Sequence, residues 1–264
     1  MDAFLSLQRS IERLVRIKCS NYKEDYIKRR ILSRMRLTNT ADYEAYHRYL
    51  LANPQEIDLL RNALTINVTK FFRDPEVFEV MRRDVLPDLA RRKGTIRIWC
   101  AGCATGEEPY SIAILAHELT ALHPDVSVTI YATDIDAVVL QKATTGVYDR
   151  KALENLDERQ LRKHFISHDD GTFEVRPHLK DRVRFRKHDL MSGVPIARYL
   201  DVVTCRNVTI YFAEKQKNEL AHLFHAALAV DGYYIIGKTE YLGREVEHLF
   251  APYNTMQKIL RKVA

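Results

Sequence analysis

The sequence predicts an α/β protein: a Rossmann-like doubly wound sheet, preceded by a helical N-terminal domain and interrupted by a small antiparallel β insertion. Three observations carry this. Apolar residues up to about position 92 recur at helical spacing. From Gly94 onward, short apolar runs alternate with helix-periodic stretches. Residues 164–178 then break that alternation with a hairpin pattern around Asp169-Asp170-Gly171.

In the first part, Phe4, Leu7, Ile11, Leu14 and Val15 keep a helical spacing, and so do Ile27, Ile31 and Met35 with Leu32 beside them. Asp42 opens a helix through Tyr43, Tyr46 and Leu50, which Asn53-Pro54 ends because proline cannot continue the hydrogen-bond ladder. A further helix covers about 55–65, and Asp74-Pro75 reads as an N-cap with proline at the first helical position. The domain boundary is expected between 92 and 93, near Arg91-Arg92-Lys93-Gly94. Beyond it come strands at Ile96–Cys100, Val126–Thr133, Val183–Arg186, Leu200–Cys205 and Tyr233–Ile236. Helices are expected from about Glu108 to Leu122, Asp136 to Thr144 and Lys215 to Ala229, the last stopped by Asp231-Gly232. The β insertion spans about 160–180, with Phe165-Ile166 and Phe173-Glu174-Val175 as its strands.

Composition excludes several classes. Apolar residues at 46% and charged residues at 29% of 264 leave no room for a disordered or collagen-like chain. No apolar run is long enough for a membrane helix, so no membrane insertion is expected. Met1-Asp2-Ala3-Phe4 does not read as a secretory signal, and Cys19, Cys100, Cys103 and Cys205 are too scattered for a disulfide framework. A cytoplasmic monomer is the expectation. No histidine or cysteine spacing suggests a metal; Cys100 and Cys103 read as packing at a buried strand end.

The loop after the first strand of the sheet, Ala101-Gly102-Cys103-Ala104-Thr105-Gly106-Glu107-Glu108-Pro109, carries most of the chemistry. Gly102 and Gly106 permit a tight turn and close approach of a ligand to the backbone. Two carboxylates at the start of the following helix repel a phosphate and favour a cation. The next strand ends in Asp134-Ile135-Asp136, where an acid can accept hydrogen bonds from ribose hydroxyls. A ligand with a ribose, an amino group and a sulfonium but no phosphate fits: S-adenosylmethionine. We assign Asp134 to the ligand and Asp136 to the cap of the next helix.

These segments, with Asn67-Val68-Thr69-Lys70-Phe71-Phe72-Arg73, Gly146-Val147-Tyr148 and Cys205-Arg206-Asn207-Val208-Thr209-Ile210-Tyr211-Phe212, resemble the CheR family of chemotaxis receptor methyltransferases over almost the whole chain. The resemblance implies a helical domain joined to a class I S-adenosylmethionine-dependent methyltransferase domain bearing a β subdomain. It implies methylation of glutamate carboxylates on chemoreceptor signalling helices, releasing S-adenosylhomocysteine. By the same resemblance Asn67, Thr69 and Arg73 form an arm over the cofactor, Glu108 takes the methionine amino group, and Asp134 the ribose. Asp189 and Leu190 would lie by the adenine, although the family commonly has Asn at the first place. Arg206 and Asn207 would line the methyl-transfer end, with Arg73 and Tyr211 contacting the substrate carboxylate.

Residues 19–36 carry a local charge of +4. A solvated helix face is the plain reading of such a run. The resemblance turns it into a docking face for acidic receptor helices, made of Lys23, Lys28, Arg29, Arg30, Arg34 and Arg36. The hairpin Ser167–Thr172 is compact with one glycine, which argues against tethering of a receptor peptide there. A nucleic-acid methyltransferase would share the cofactor cleft, but Asn207 is followed by Val208-Thr209 rather than by prolines, and nucleic acid is not the expected partner. A non-catalytic S-adenosylmethionine-binding module is the other alternative.

Overall fold

The structure is a computed structural model that describes residues 3–65 and 69–263. The chain divides into two units, Met1–Ile66 with Tyr211–Gln216, and Asn67–Ile210 with Lys217–Ala264. The division at Ile66 precedes the 92/93 boundary expected from the change of pattern. The reason is packing: Val77, Phe78, Met81, Val85 and Leu89 are buried in one core with Ile96 and Ile98 of the first sheet strand.

The first unit contains α1 (Ala3–Leu14), α2 (Glu24–Leu37), α3 (Tyr43–Ala52) and α4 (Pro54–Leu64). Leu7, Ile11, Ile27, Ile31, Tyr46, Leu50 and Leu60 form its core. Asp42 caps α3 by accepting from the Ala45 amide at 2.8 Å. Asn53 ends α3, and Pro54 starts α4 at once. A distant segment completes this unit. The Lys23 amide donates to the Tyr211 carbonyl and the Ala213 amide to the Asn21 carbonyl, each at 3.0 Å.

The second unit begins with α5 (Pro75–Val80), which continues through a π turn at Met81–Val85 into α6 (Leu86–Arg92). Then follow β1 (Thr95–Ala101), α7 (Glu107–Leu122), β2 (Ser127–Asp134), α8 (Ala137–Thr145) and β3 (Val147–Tyr148). After these come α9 (Glu158–His164), β4 (Phe165–Ser167), β5 (Phe173–Val175), α10 (Pro177–Lys180) and β6 (Val183–Lys187). The chain closes with β7 (Leu200–Cys205), α11 (Glu214–Ala227), β8 (Leu228–Ile236), β9 (Phe250–Asn254) and β10 (Ile259–Lys262). The main sheet has seven strands in the order β6-β2-β1-β7-β8-β10-β9. β6, β2, β1, β7 and β8 are parallel, whereas β10 is antiparallel to both of its neighbours. Strand order reverses direction between β1 and β7, so the crevice beyond their carboxyl ends is the natural ligand site of such a sheet. The insertion is the antiparallel sheet β3-β5-β4.

Two expectations change here. Asp231-Gly232 is not a helix stop: α11 ends at Ala227 and the chain enters β8 directly. Asp231 instead sits at φ 60° where the pairing of β7 with β8 shifts register, a use of Asp-Gly as a bulge. Asp74 occupies the N-cap position with Pro75 behind it, as expected, but at φ 57° it makes no side-chain cap bond, and its carboxylate holds Arg206 instead. The strands β9 and β10 were not expected from the sequence. Pro252 lies in β9, which is tolerable because β9 is the sheet's edge.

The insertion meets α7 through three histidines. The His117, His164 and His178 rings lie with centroids 4.7–5.5 Å apart, and His164 Nδ1 is 3.1 Å from His178 Nε2. Burial lowers the pKa of all three, His164 to about 4, with the Lys163 and Arg176 charges acting the same way on His164. The unfolded chain therefore takes up these protons first as pH falls. Stability is complete above about 6.5 and is lost as pH drops toward 4. Between pH 7 and pH 5 the wild type is expected to lose roughly 1–2 kcal/mol through His164, and His164→Phe much less. Urea midpoints at the two pH values check this; equal pH dependence in both proteins refutes it.

Candidate active site

The floor of the crevice is the turn after β1. Gly102 has φ 80° and Gly106 φ 96°, both in the left-handed region. A Cβ on Gly102 would lie 2.6 Å from Val208 Cγ2, and one on Gly106 would lie 2.9 Å from the Tyr148 hydroxyl, so glycine is required twice over. The Gly102 and Cys103 amides both donate to the Thr133 carbonyl at 2.9 Å, which fastens the turn to the end of β2.

Asp134, at that end, accepts from the Ala104 amide at 2.9 Å and the Asp136 amide at 3.0 Å. Burial raises its pKa, against the opposing pull of those backbone donors. A carboxylate has more lone pairs than these two donors use, so acceptor capacity remains for a diol. Asp136 caps α8 through the Val138 amide, the role expected of it. The Asp134 carbonyl accepts from the His188 amide at 2.9 Å, which sets Asp189 and Leu190 beside it. The Asp189 carboxylate is engaged by the Met191 amide at 2.8 Å.

The two acids at the start of α7 separate in role. Glu107 is buried, both its oxygens accept from the Thr105 hydroxyl, and burial raises its pKa. It is a brace rather than half of a cation-attracting pair. Glu108 accepts from the Thr204 hydroxyl at 2.6 Å and from Arg206 at 3.0 Å, and keeps partial exposure.

Arg206 does not line the crevice as a ligand contact. Its side chain is 2% exposed and bridges Glu108, Asp74 and the Arg73 carbonyl, over the Phe78 ring. It is an internal strut that pins the main chain at Arg73. Phe72 at φ 48° and Asp74 at φ 57° flank that residue. The Phe72 amide donates to Ser111 Oγ at 2.9 Å, and Asn155 donates to the Phe71 and Phe72 carbonyls. Strained backbone held on several sides is a usual attribute of functional sites. The Arg73 side chain lines a groove of about 480 Å³ with Thr69, Lys70, Thr105, Glu107, Lys142 and Tyr148 among its other walls. Asp74 and Glu76, the two acids near it in sequence, hold Arg206 and Lys238.

Asn207 follows at the tip of β7 with φ 61°. Asn67 lies outside the described residues. Tyr211 belongs to the first unit, where its ring lies 4.8 Å from that of Tyr26. The basic helix α2 loses one candidate docking residue: Arg34 makes a two-pronged bond to the buried Glu56, at 2.9 and 2.7 Å, which Tyr46 also contacts. That geometry makes it a core brace. Lys28 pairs with Glu24 at 2.5 Å, and Arg30 lies over the Tyr26 ring. Lys23, Arg29 and Arg36 are exposed.

The turn 101–106 has no Lys or Arg, and acids open α7, so the crevice does not suit a phosphate. The residues present are compatible with S-adenosylmethionine: Asp134 and Glu108 would offer acceptors to ribose hydroxyls and an amino group, and the glycine turns would allow close approach. Among the described residues no group of three or more His, Cys, Asp or Glu is arranged to hold a metal ion. No described helix is long and apolar enough to cross a membrane.

Comparison with known proteins agrees with this reading. Residues 67–259 match the family described as CheR methyltransferase, SAM binding domain, and residues 2–65 match CheR methyltransferase, all-alpha domain. The chain is 32% identical over 253 residues to a chemotaxis protein methyltransferase of Listeria innocua, covering 95% of this chain and 94% of the relative. It is 33% identical to chemotaxis protein methyltransferase 2 of Vibrio cholerae, covering 85% and 80%. A chemotaxis protein methyltransferase of Borreliella burgdorferi is 33% identical, covering 87% of each chain. The chain belongs to the CheR methyltransferase family and is an S-adenosylmethionine-dependent methyltransferase of chemotaxis.

Proposed function

We propose that this enzyme esterifies glutamate side chains on the cytoplasmic signalling helices of chemoreceptors, acting in the cytoplasm as a monomer. The observation that carries this beyond the family is the Arg73 arm. Arg73 lines a groove whose described walls carry no Ser, Cys or His, and its main chain is held by Arg206. A planar fork of donors suits a carboxylate, in two-pronged fashion. A glutamate carboxylate, with an ordinary pKa of about 4.3, is ionised at neutral pH and needs no general base. The bound cofactor supplies an activated methyl group and a neutral thioether leaving group. The chain's share is then orientation, which can supply roughly 7–11 kcal/mol of the barrier. Arg73 would orient the attacking carboxylate, and Thr69, Glu108, Asp134, Asn207, Asp189 and Leu190 would hold the cofactor. Over-neutralising the carboxylate would blunt its attack, so donors that set an angle serve better than a buried counter-ion.

The exposed Arg29 and Arg36, one row of α2 (i, i+7), with Lys23 at its N-cap, offer basic groups suited to acidic helices. One assay tests the whole reading: transfer of labelled methyl to a receptor cytoplasmic fragment, followed by mild alkali. Label released as volatile methanol is expected, with a KM for the fragment that rises with salt and rises about tenfold in Arg29→Glu/Arg36→Glu. Alkali-stable label rules out an ester, and an unchanged KM removes α2 from docking. Transfer to RNA instead of the fragment would favour the nucleic-acid alternative.

A further inference from the structure

Glu240 is 3% exposed and lies just beyond the carboxyl end of β8, the neighbour of β7. Its Oε1 accepts from the amides of Val208 at 3.1 Å, Thr209 at 2.7 Å and Ile210 at 3.3 Å, and from the Thr209 hydroxyl at 2.7 Å. Its Oε2 accepts from the amides of Asn207 at 2.8 Å and Gly237 at 2.6 Å. No Lys or Arg pairs with it among the described residues. Its charge is therefore met by oriented main-chain dipoles, four of them from consecutive residues of one loop. Such a nest is the arrangement by which proteins usually hold a bound anion. Here the anion is the protein's own side chain.

We propose that Glu240 is a positioning residue for the cofactor: its carboxylate acts as an internal anion that holds the 207–210 loop in the one shape that presents Asn207 to the cleft. Three features support this. Asn207 is at φ 61°, left-handed backbone that asparagine tolerates better than most residues but that still costs free energy, which the bond from its amide to Glu240 offsets. The same amides place Val208, whose Cγ2 occupies the space a side chain at Gly102 would need, so the nest locks the β7 loop against the β1 turn. Gly237 leaves room for the arrangement: a Cβ there would lie 2.5 Å from Glu240 Oε2 and 2.9 Å from the Asn207 amide. Every donor but the Gly237 amide comes from that loop, so the carboxylate's effect falls on the cleft rather than on the sheet at large.

The inference rests on the assignment of Asn207 to the cofactor, and the test separates the two. S-adenosylhomocysteine affinity is measured by calorimetry on the full chain for wild type, Asn207→Ala, Glu240→Gln, Gly237→Ala, Thr209→Val and Glu56→Gln, with thermal melts alongside. Glutamine keeps the shape of Glu240 but turns one acceptor into a donor facing other donors. Glu240→Gln is expected to bind at least tenfold more weakly while still folded. Gly237→Ala should weaken binding several-fold, and Thr209→Val two- to threefold. The KM for S-adenosylmethionine should rise while that for the receptor fragment stays unchanged. Glu56→Gln, a buried carboxylate of the first unit, should lower the melting temperature and leave affinity within twofold. If Glu240→Gln does not fold, the two milder variants decide. Normal affinity in these variants with weak binding by Asn207→Ala overturns the role of Glu240. Normal affinity in Asn207→Ala as well overturns it through the assignment of the loop.

Discussion

Arg73→Ala is expected to lower kcat about a thousandfold, and Arg73→Lys about a hundredfold, with the melting temperature of either close to wild type. Losses of this size, roughly 3–4 kcal/mol, are usual when one preorganised donor to a reacting group is removed. Lysine keeps the charge but not the planar fork, so the difference between the two variants reads the value of geometry over charge. Stability should hold because the packing here is carried by Phe71, Phe72 and Phe78, which are buried, and by Arg206 on the Arg73 carbonyl. Single-turnover rates at saturating cofactor make the measurement. S-adenosylhomocysteine affinity should fall less than tenfold, because an orienting contact to the substrate matters more to turnover than to cofactor binding. Turnover within a few-fold of wild type in Arg73→Ala would sink the assignment of Arg73 to the substrate carboxylate.

Asp134→Asn is expected to weaken S-adenosylhomocysteine binding about a hundredfold, equal to about 2.7 kcal/mol. The asparagine keeps the shape but turns one oxygen into an NH₂ group. Because one carboxylate oxygen accepts from the Ala104 amide and the other from the Asp136 amide, the NH₂ group must face one of these donors with a donor. Folding stability should fall far less. Burial already raises the pKa of Asp134, so the native protein holds this charge at a cost that the amide form does not incur. The same shift sets a pH dependence. Affinity should fall on acidification at a pH above the ordinary aspartate value of 3.8, because protonation removes acceptor capacity while the chain is still folded. Calorimetric titrations of both proteins across that range check the claim. A wild-type affinity that is flat with pH, or an asparagine variant that binds normally, removes Asp134 from the ribose.

The elements legible in the sequence were those whose signal is local. Period-3.6 apolar spacing marked α1 to α3, and Gly94 marked the change to alternating strands and helices. Asp136 was read correctly as a cap because capping depends on its own next residues. Pro252 hid β9, because proline argues against a strand unless its edge position is known. Asp231 was misread, and the side chain of Asp74 was too although its N-cap position held, for a related reason. Asp-Pro and Asp-Gly are true local signals, but Arg206 claims the first aspartate and a sheet bulge the second.

At the site the same distinction holds. Glycines at 102 and 106 were legible because left-handed backbone is a local demand. The split between Glu107 and Glu108 was not, since Thr105 and burial claim one while Thr204 and Arg206 claim the other. Glu240 carried no signal: apart from the Gly237 amide its partners lie 30–33 residues earlier, and apart from the Thr209 hydroxyl they are main-chain amides, which every residue but proline possesses. Arg34 could not be told from its basic neighbours until Glu56, 22 residues away, was found buried beside it. The sequence by itself determined the fold class, the cofactor class and the family, because periodicity, turn glycines and short motifs are properties of neighbouring residues. Tertiary structure alone decided which charges are struts and which are left for ligands, because a charged side chain's role depends on burial and on the partner it meets across the fold.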